Sequence, residues 1–275
     1  MTGDFGTPVG LALQRRFMRH VVGVYCDFRE HGQRSQVVYT AFVFSVDDHW
    51  MLITAGHCIT DIEQVRARGG DLHRCSLIDS MGEGAAHLHP LPFAYDAAHP
   101  MNIGRLERID YGVLIPPENT CQLLARNNIE PFDESAWDAE PARVLDYFLL
   151  GFPEDLNRLQ GERVNFRASM FRVAKYDERP EDFPEEDPAI YWYGRVFENP
   201  LGSVRGCSGG PIVALSHPND QGVSTYHLIA LQSTAMGRDI KGMLMQPLGQ
   251  LVRACQAGTF NNQDDEEPQE PAPRD

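Results

Sequence analysis

The stretch Gly206-Cys207-Ser208-Gly209-Gly210-Pro211 decides how this chain folds, because it sets one serine among glycines in front of an apolar run. A serine hydroxyl is a weak nucleophile, which needs a base and donors aimed at the oxyanion that it creates. Glycine at 206 permits a backbone conformation closed to residues with a Cβ, so the amides of Gly206 and Ser208 can converge on one point. The run from Ile212 to Leu215 is typical of a buried strand. The alternative interpretation is a glycine-rich turn before a strand.

A histidine and an aspartate stand in comparable settings earlier in the chain. His57 follows the apolar run from Trp50 to Ile53 and three small residues, Thr54-Ala55-Gly56. Asp110 stands at the mouth of the apolar strand 109–115, where a lone acid costs free energy unless it is hydrogen-bonded. Taken singly, the histidine could be a core residue and the aspartate a strand cap. In the order His, Asp, Ser they predict a catalytic triad.

Three blocks of this sequence resemble the signature blocks of chymotrypsin-like (trypsin-like) serine peptidases: Thr54-Ala55-Gly56-His57-Cys58, Asp110-Tyr111-Gly112-Val113-Leu114 and the Ser208 stretch. The resemblance spans roughly residues 20 to 255. It implies an all-β fold of two packed six-stranded antiparallel β-barrels with a C-terminal helix. It also implies that no cofactor or metal is needed.

The same resemblance implies a role for each of these residues. Ser208 attacks a peptide carbonyl, His57 removes the serine proton, and Asp110 orients the imidazole and stabilises its charged form. The amides of Gly206 and Ser208 form the oxyanion hole.

Turn signals and apolar runs give the organisation of the chain. Many short apolar runs, separated by Gly, Asp and Pro clusters, favour an all-β barrel architecture without reference to any family. We expect an N-terminal extension at 1–19 with a short helix, a peptidase domain at 20–255, and a disordered acidic tail at 256–275. Within the peptidase domain we expect a first barrel at about 20–117, a second at about 140–245, and the helix at 247–255.

Charge and hydropathy limit the partners. The net charge of −15 argues against nucleic acid or an anionic membrane as the main partner, and no apolar run approaches membrane-spanning length. The start, Met1 to Pro8, carries an acid and no basic lead into a long apolar core, so it does not resemble a secretory signal. We therefore expect a cytosolic protein whose partners are a protein or peptide substrate and, where activity is restrained, a regulatory protein.

The six cysteines show no C-x-x-C pair, and we expect them to be reduced and mostly buried. They are Cys26, Cys58, Cys75, Cys121, Cys207 and Cys255. A metal site built from His73, Cys75, His87 and His89 is an alternative that their proximity in sequence raises, although loop histidines are common. We predict no metal.

Activation by N-terminal cleavage is expected to be absent. Val21-Val22-Gly23 superficially resembles the N-terminus that digestive members of the family expose on activation. The resemblance implies that this device needs an aspartate immediately before the catalytic serine, and Cys207 occupies that position. The segment from Val21 to Cys26 is therefore predicted to be the opening strand of the first barrel.

The specificity pocket is inferred only from the resemblance. Its floor is expected at Gly202 with Ser203 beside it, its wall at Gln232, Ser233 and Thr234, and its opposite wall at Gly242. No aspartate stands at the floor, which argues against selection of Lys or Arg by that route and favours a neutral side chain.

An acidic loop from Asp177 to Asp187 carries seven acids and one arginine. It is predicted to be a solvated loop near the catalytic rim, or else a gate or docking loop that favours basic substrates.

Together these patterns predict an intracellular serine endopeptidase that processes or regulates particular proteins, with bacterial defence as one setting suggested by analogy. The alternative from a different class is a catalytically silent binding module with the same fold. Esterase-like hydrolysis at the same site is a third option.

Overall fold

The computed structural model describes residues 7–79, 90–103, 109–139, 141–156, 159–160, 163–164, 166–187, 189–197 and 203–256. Its helices are α1 (Pro8–Met18), α2 (Gly56–Ala67), α3 (Glu118–Arg126), α4 (Glu134–Trp137) and α5 (Met245–Gln256). The strands of the first half are β1 (Val21–Glu30), β2 (Gln33–Val46), β3 (His49–Ala55), β4 (Asp71–Asp79), β5 (Leu91–Pro92), β6 (Met101–Ile103) and β7 (Tyr111–Leu114). Those of the second half are β8 (Val144–Gly151), β9 (Leu159–Gln160), β10 (Arg163–Val164), β11 (Ser169–Lys175), β12 (Tyr191–Val196), β13 (Pro211–Ser216), β14 (Tyr226–Met236) and β15 (Asp239–Leu244).

The first half is one antiparallel sheet with the strand order β5-β4-β1-β2-β3-β7-β6. Strand β1 is buried on both faces, and its side chains alternate between two cores because successive residues of a strand point to opposite sides. Val22 and Val24 enter the core inside the first half, whereas Val21 and Tyr25 face the second half.

The second half closes into a six-stranded antiparallel barrel in the order β11-β12-β15-β14-β13-β8. Its interior is filled by large apolar and aromatic side chains, which include Phe171, Trp192, Ile212 and Ile240. Closure pairs the outermost strands with each other, so the barrel has no free edge along these six strands.

A third core joins the two halves. Phe42 and Ile53 of the first sheet belong to one buried cluster with Leu150 and Met243 of the barrel. The N-terminal helix adds to this seam through Phe17, whose ring centroid lies 5.6 Å from that of Phe148. The halves are thus packed by apolar burial, which is the main stabilising contribution in such contacts.

The predicted fold class is confirmed: the chain is mostly β, with a closed six-stranded barrel, a second sheet and a C-terminal helix. The first half was expected to be a six-stranded barrel, but its described residues form a seven-stranded sheet that is not closed, in which the short strands β5 and β6 lie at the two edges of the other five. The N-terminal helix falls within the expected extension at 1–19. The described residues end at Gln256, so the rest of the predicted tail lies outside them.

The cysteine thiols of the described part are free. Cys26, Cys58, Cys75 and Cys207 are buried and Cys121 is half-buried, while the side chain of Cys255 lies outside the described residues. His87 and His89 also lie outside them, and no cluster of three metal-binding side chains occurs in the described ranges. None of the helices in those ranges has the length and hydropathy needed to cross a bilayer.

Candidate active site

Strand pairing brings Asp110 to the start of the helix that carries His57. Strand β3 pairs with β7 so that Ala55 lies opposite Tyr111. Just beyond that pair, the amide of Gly56 donates to the carbonyl of Asp110 over 2.9 Å. The amide of His57 donates to Asp110 Oδ1 over 2.8 Å. The first amides of a helix lack intrahelical partners and favour negative charge, so the carboxylate both caps helix α2 and fixes the backbone of the histidine.

The side chains of His57 and Asp110 are also joined. His57 Nδ1 lies 2.9 Å from Asp110 Oδ2, and Ser233 Oγ donates to the same oxygen over 2.5 Å. When the proton of neutral His57 is on Nδ1 and is donated to the carboxylate, Nε2 is free to accept a proton. This is the tautomer that a general base needs.

The pKa values of this pair move in opposite directions. Burial works to lower the pKa of His57, but the hydrogen bond to Asp110 and the charge beside it outweigh burial and raise the pKa above its ordinary value. Burial works to raise the pKa of Asp110, but hydrogen bonds from His57 and Ser233 outweigh it and hold that pKa below its ordinary value. The carboxylate therefore stays ionised and favours the imidazolium that forms when His57 accepts a proton.

Asn102 on β6 fixes the first turn of helix α2. Its Nδ2 donates to the Gly56 carbonyl over 3.1 Å and to Thr60 Oγ1 over 2.7 Å. Its Oδ1 is buried without a hydrogen-bond partner among the described residues. No sequence signal distinguishes this asparagine, because its contact with the helix depends on the pairing of β6 with β7.

The loop that carries Ser208 packs against the segment that carries His57. Gly209 has a φ of +87°, and a Cβ there would overlap the Thr40 carbonyl and the Thr54 hydroxyl, so only glycine allows this approach. The thiol of Cys58 donates a hydrogen bond to the carbonyl of Ser208, with a distance of 3.9 Å from Sγ to O. Ser208 thus lies beside the start of helix α2.

Two amides of this loop have no hydrogen-bond partner in the described part of the chain, those of Gly206 and Ser208. The intervening and following amides are bonded: Cys207 N donates to Val204 O over 3.0 Å, and Gly209 N donates to Gln232 O over 2.8 Å. Alternate free amides in a turn form a concave site for an anion. The pair predicted to form an oxyanion hole is therefore the pair that has no hydrogen-bond partner among the described residues.

The hydroxyl of Ser208 makes no hydrogen bond to a described residue, and none joins it to His57. Such bonds are often long without substrate and tighten when substrate binds. The structure therefore brings His57 and Asp110 into direct contact and places Ser208 beside the start of the helix that carries His57, with no partner for its hydroxyl among the described residues.

The residues predicted to line the specificity pocket differ in burial and in hydrogen-bond partners. Gly202 is outside the described residues, and Ser203 accepts a hydrogen bond from Arg205 N over 3.0 Å. Ser233 turns to Asp110, as described above. Gly242 is buried, where a Cβ would meet the side chains of Ile212 and Ala230 of the barrel.

Gln232 and Thr234, also predicted for the pocket wall, differ in exposure. Gln232 is 1% exposed, and its backbone makes two hydrogen bonds to the Ser208 loop. Its amide donates to Gly210 O and its carbonyl accepts from Gly209 N, each over 2.8 Å. Its Oε1 is buried without a partner among the described residues. Thr234 is half-buried.

Cys207 occupies the position where an activation device would need an acid. Its side chain is 0% exposed and packs against Gly151. Burial raises the pKa of the thiol, so the group is neutral at ordinary pH. It offers no charge to pair with a freed amino group.

The acidic loop is anchored by one buried ion pair. Glu186 accepts from Lys241 Nζ at 3.0 Å and 2.9 Å, and the two side chains are 5% and 10% exposed. Phe183 is also buried, whereas most of the other acids of the loop are exposed. The loop is therefore solvated, as predicted, but held at two points.

No family model and no curated protein matches the chain. The chain is similar in structure to three crystallised proteases: a thermostable serine protease, AL20, from an extremophilic microorganism (15% identity, 89% of this chain and 99% of that one, TM-score 0.49), the active form of the Rv3671c protease of M. tuberculosis (17%, 92% and 86%, 0.45), and the protease Anisep of Arthrobacter nicotinovorans (15%, 82% and 90%, 0.44). At identities of 15–17% and TM-scores below 0.5, these similarities do not decide the chemistry, which must be argued from the residues themselves.

Proposed function

We propose that the protein is a serine endopeptidase that uses Ser208 as nucleophile, His57 as general base and acid, and Asp110 as the orienting carboxylate. The observation that carries the proposal is the combination of the 2.9 Å contact between His57 Nδ1 and Asp110 Oδ2 with the two unbonded amides around Ser208. A base, its orienting group and oxyanion donors beside one serine form the set needed for acyl transfer.

The reaction follows from these positions. Ser208 Oγ forms a bond to the substrate carbonyl carbon while its proton passes to His57 Nε2. The resulting oxyanion accepts hydrogen bonds from the amides of Gly206 and Ser208. The amine leaves with the proton from His57, and water then releases the acyl group by the same route in reverse.

A fluorophosphonate probe tests the nucleophile without knowledge of the substrate, because the serine oxygen bonds to phosphorus and fluoride leaves. We expect the wild type to be labelled and Ser208→Ala to remain unlabelled. Ser135→Ala is the matched control, since Ser135 is exposed on α4 and its hydroxyl donates to Asp133, and it should label like the wild type. Failure of the folded wild type to label would favour the silent binding module.

Cleavage-site profiling of a proteome digest separates endopeptidase from esterase-like activity. Wild type and Ser208→Ala are compared, and peptides whose new termini appear only with the wild type define the cleaved bonds. A labelled enzyme that cleaves simple esters and no peptide bond would contradict endopeptidase activity. The same profile reports the residue preferred before the cleaved bond, for which we propose a neutral side chain. The cellular role that we propose is limited processing of particular intracellular proteins.

A further inference from the structure

The side chain of Thr40 joins the first sheet to the loop that carries Ser208. Thr40 lies on β2 and is 0% exposed. Its hydroxyl donates to the Gly206 carbonyl over 2.8 Å and accepts from the amide of Phe152 over 2.9 Å. One buried hydroxyl of the first half thus pairs two backbone groups of the second half.

The two free amides of the loop are aimed by the carbonyls of their own peptide units. A peptide unit is planar, so a hydrogen bond that fixes its carbonyl also fixes the direction of its N–H. The unit that contains the Gly206 N–H is held through Arg205 O, which accepts from Glu154 N over 2.8 Å. The unit that contains the Ser208 N–H is held through the preceding carbonyl, which accepts from Gly210 N over 2.8 Å.

The peptide unit between these two is the one that Thr40 holds. Its carbonyl, on Gly206, accepts from the Thr40 hydroxyl, and its amide, on Cys207, donates to Val204 O over 3.0 Å. Gly206 has a φ of +88°, and a Cβ there would lie 2.7 Å from the Phe152 carbonyl. This central unit shares the Cα atoms of Gly206 and Cys207 with the two neighbouring units, so loss of its hydrogen bond to Thr40 would leave the positions of both amides less firmly fixed.

We propose that Thr40 is a positioning residue for the oxyanion-stabilising amides, and that its hydroxyl keeps the Ser208 loop in the reactive conformation. This inference rests on the proposed function of Ser208. It explains how the loop is held although the residue before the serine, Cys207, is neutral and buried and cannot take part in an ion pair. It also implies that activity needs no cleavage at the N-terminal side of β1.

The rate of fluorophosphonate labelling tests this role, because the phosphonyl oxygen occupies the place of the oxyanion. Thr40→Val keeps the shape of the side chain but leaves the Gly206 carbonyl and the Phe152 amide unpaired. We expect the labelling rate constant to fall about tenfold to a hundredfold, the effect of a small misplacement of a catalytic group. Thr40→Ser keeps the hydroxyl and should restore the rate to within about threefold of the wild type, because the bond to Gly206 is retained.

Two further readouts separate positioning from a general loss of structure. Positioning lowers the rate constant while the final labelled fraction stays complete, whereas misfolding lowers the labelled fraction. The pH midpoint of the labelling rate should not move, because Thr40 does not touch His57. If Thr40→Val does not fold, Thr40→Ala serves, since it cannot overpack the seam.

The outcomes distinguish this inference from the proposed function. A folded Thr40 variant without the hydroxyl that labels as fast as the wild type would overturn the positioning role and leave the endopeptidase proposal intact. A wild type that does not label would overturn the endopeptidase proposal itself.

Discussion

Ser233 Oγ donates a hydrogen bond to Asp110 Oδ2 over 2.5 Å, from strand β14 of the barrel to the residue that precedes β7 of the first sheet. The same oxygen accepts from His57 Nδ1. The serine therefore shares with His57 the task of keeping the carboxylate ionised and in place, and it does so across the seam between the two halves.

Removal of this hydroxyl should slow the reaction of Ser208. Without Ser233 the pKa of Asp110 rises, because one of the hydrogen bonds that lower it is lost. We expect Ser233→Ala to lower the fluorophosphonate labelling rate about tenfold, the equivalent of one hydrogen bond to a charged group. Ser233→Thr keeps the donor and should retain most of the rate. An alanine variant as fast as the wild type would show that Asp110 needs no support from the barrel.

Replacement of the carboxylate should have a larger effect and should change the pH profile. Asp110→Asn keeps an oxygen for the His57 amide but presents the wrong group to Nδ1, and we expect the labelling rate at neutral pH to fall about 10³- to 10⁴-fold. Protonated His57 cannot accept the serine proton, so the wild-type rate should rise with pH, with a midpoint above 6.5 because the pKa of His57 is raised. Loss of the carboxylate removes the main cause of that rise, so the midpoint should move to lower pH. Labelling rates across a pH series measure both effects, and an unchanged midpoint would contradict the assigned pair.

The buried ion pair of the acidic loop should be sensitive to loss of one partner. Lys241 Nζ lies 2.9 Å from Glu186 Oε2 and 4.7 Å from the centroid of the Tyr191 ring. Lys241→Met leaves a buried carboxylate without its cation, and we expect a loss of about 3–5 kcal/mol in the free energy of unfolding. The double variant with Glu186→Leu removes both charges and should regain most of that loss. Urea unfolding measures each value, and a single variant as stable as the wild type would show that the pair is solvated in solution.

His20 should make stability depend on pH. It is 2% exposed, its Nδ1 lies 2.8 Å from the Glu130 carbonyl, its Nε2 lies 2.9 Å from Tyr226 Oη, and burial lowers its pKa from 6.5 to about 4. A lowered pKa means that the unfolded chain binds the proton more tightly, so stability is complete above pH 6.5 and falls as the pH drops toward 4.

Between pH 6.5 and pH 4, we expect protonation of this histidine to reduce the free energy of unfolding by up to about 3 kcal/mol, because its pKa differs between the folded and unfolded chain. His20→Gln should flatten the dependence relative to the wild type. Parallel slopes for wild type and His20→Gln in urea unfolding at several pH values would contradict the lowered pKa.

Local patterns were sufficient for much of the fold. Short apolar runs between glycine, proline and aspartate clusters identified an all-β chain, because side-chain alternation and turn chemistry act over a few residues. The same locality made the surroundings of His57, Asp110 and Ser208 recognisable, since each stands at the end of an apolar strand. The two edge strands of the first sheet, β5 and β6, were not predicted because they are too short to carry a pattern.

The amino-acid sequence by itself determined the fold class, the order of the three candidate catalytic residues and the glycines that allow the Ser208 loop its backbone conformation. Only the tertiary structure decided that Ser233 donates to Asp110, that Asn102 braces helix α2, and that Thr40 holds the Gly206 carbonyl. These contacts join residues more than forty positions apart along the chain. Their geometry depends on strand register and on the packing of one half against the other, which no local pattern specifies.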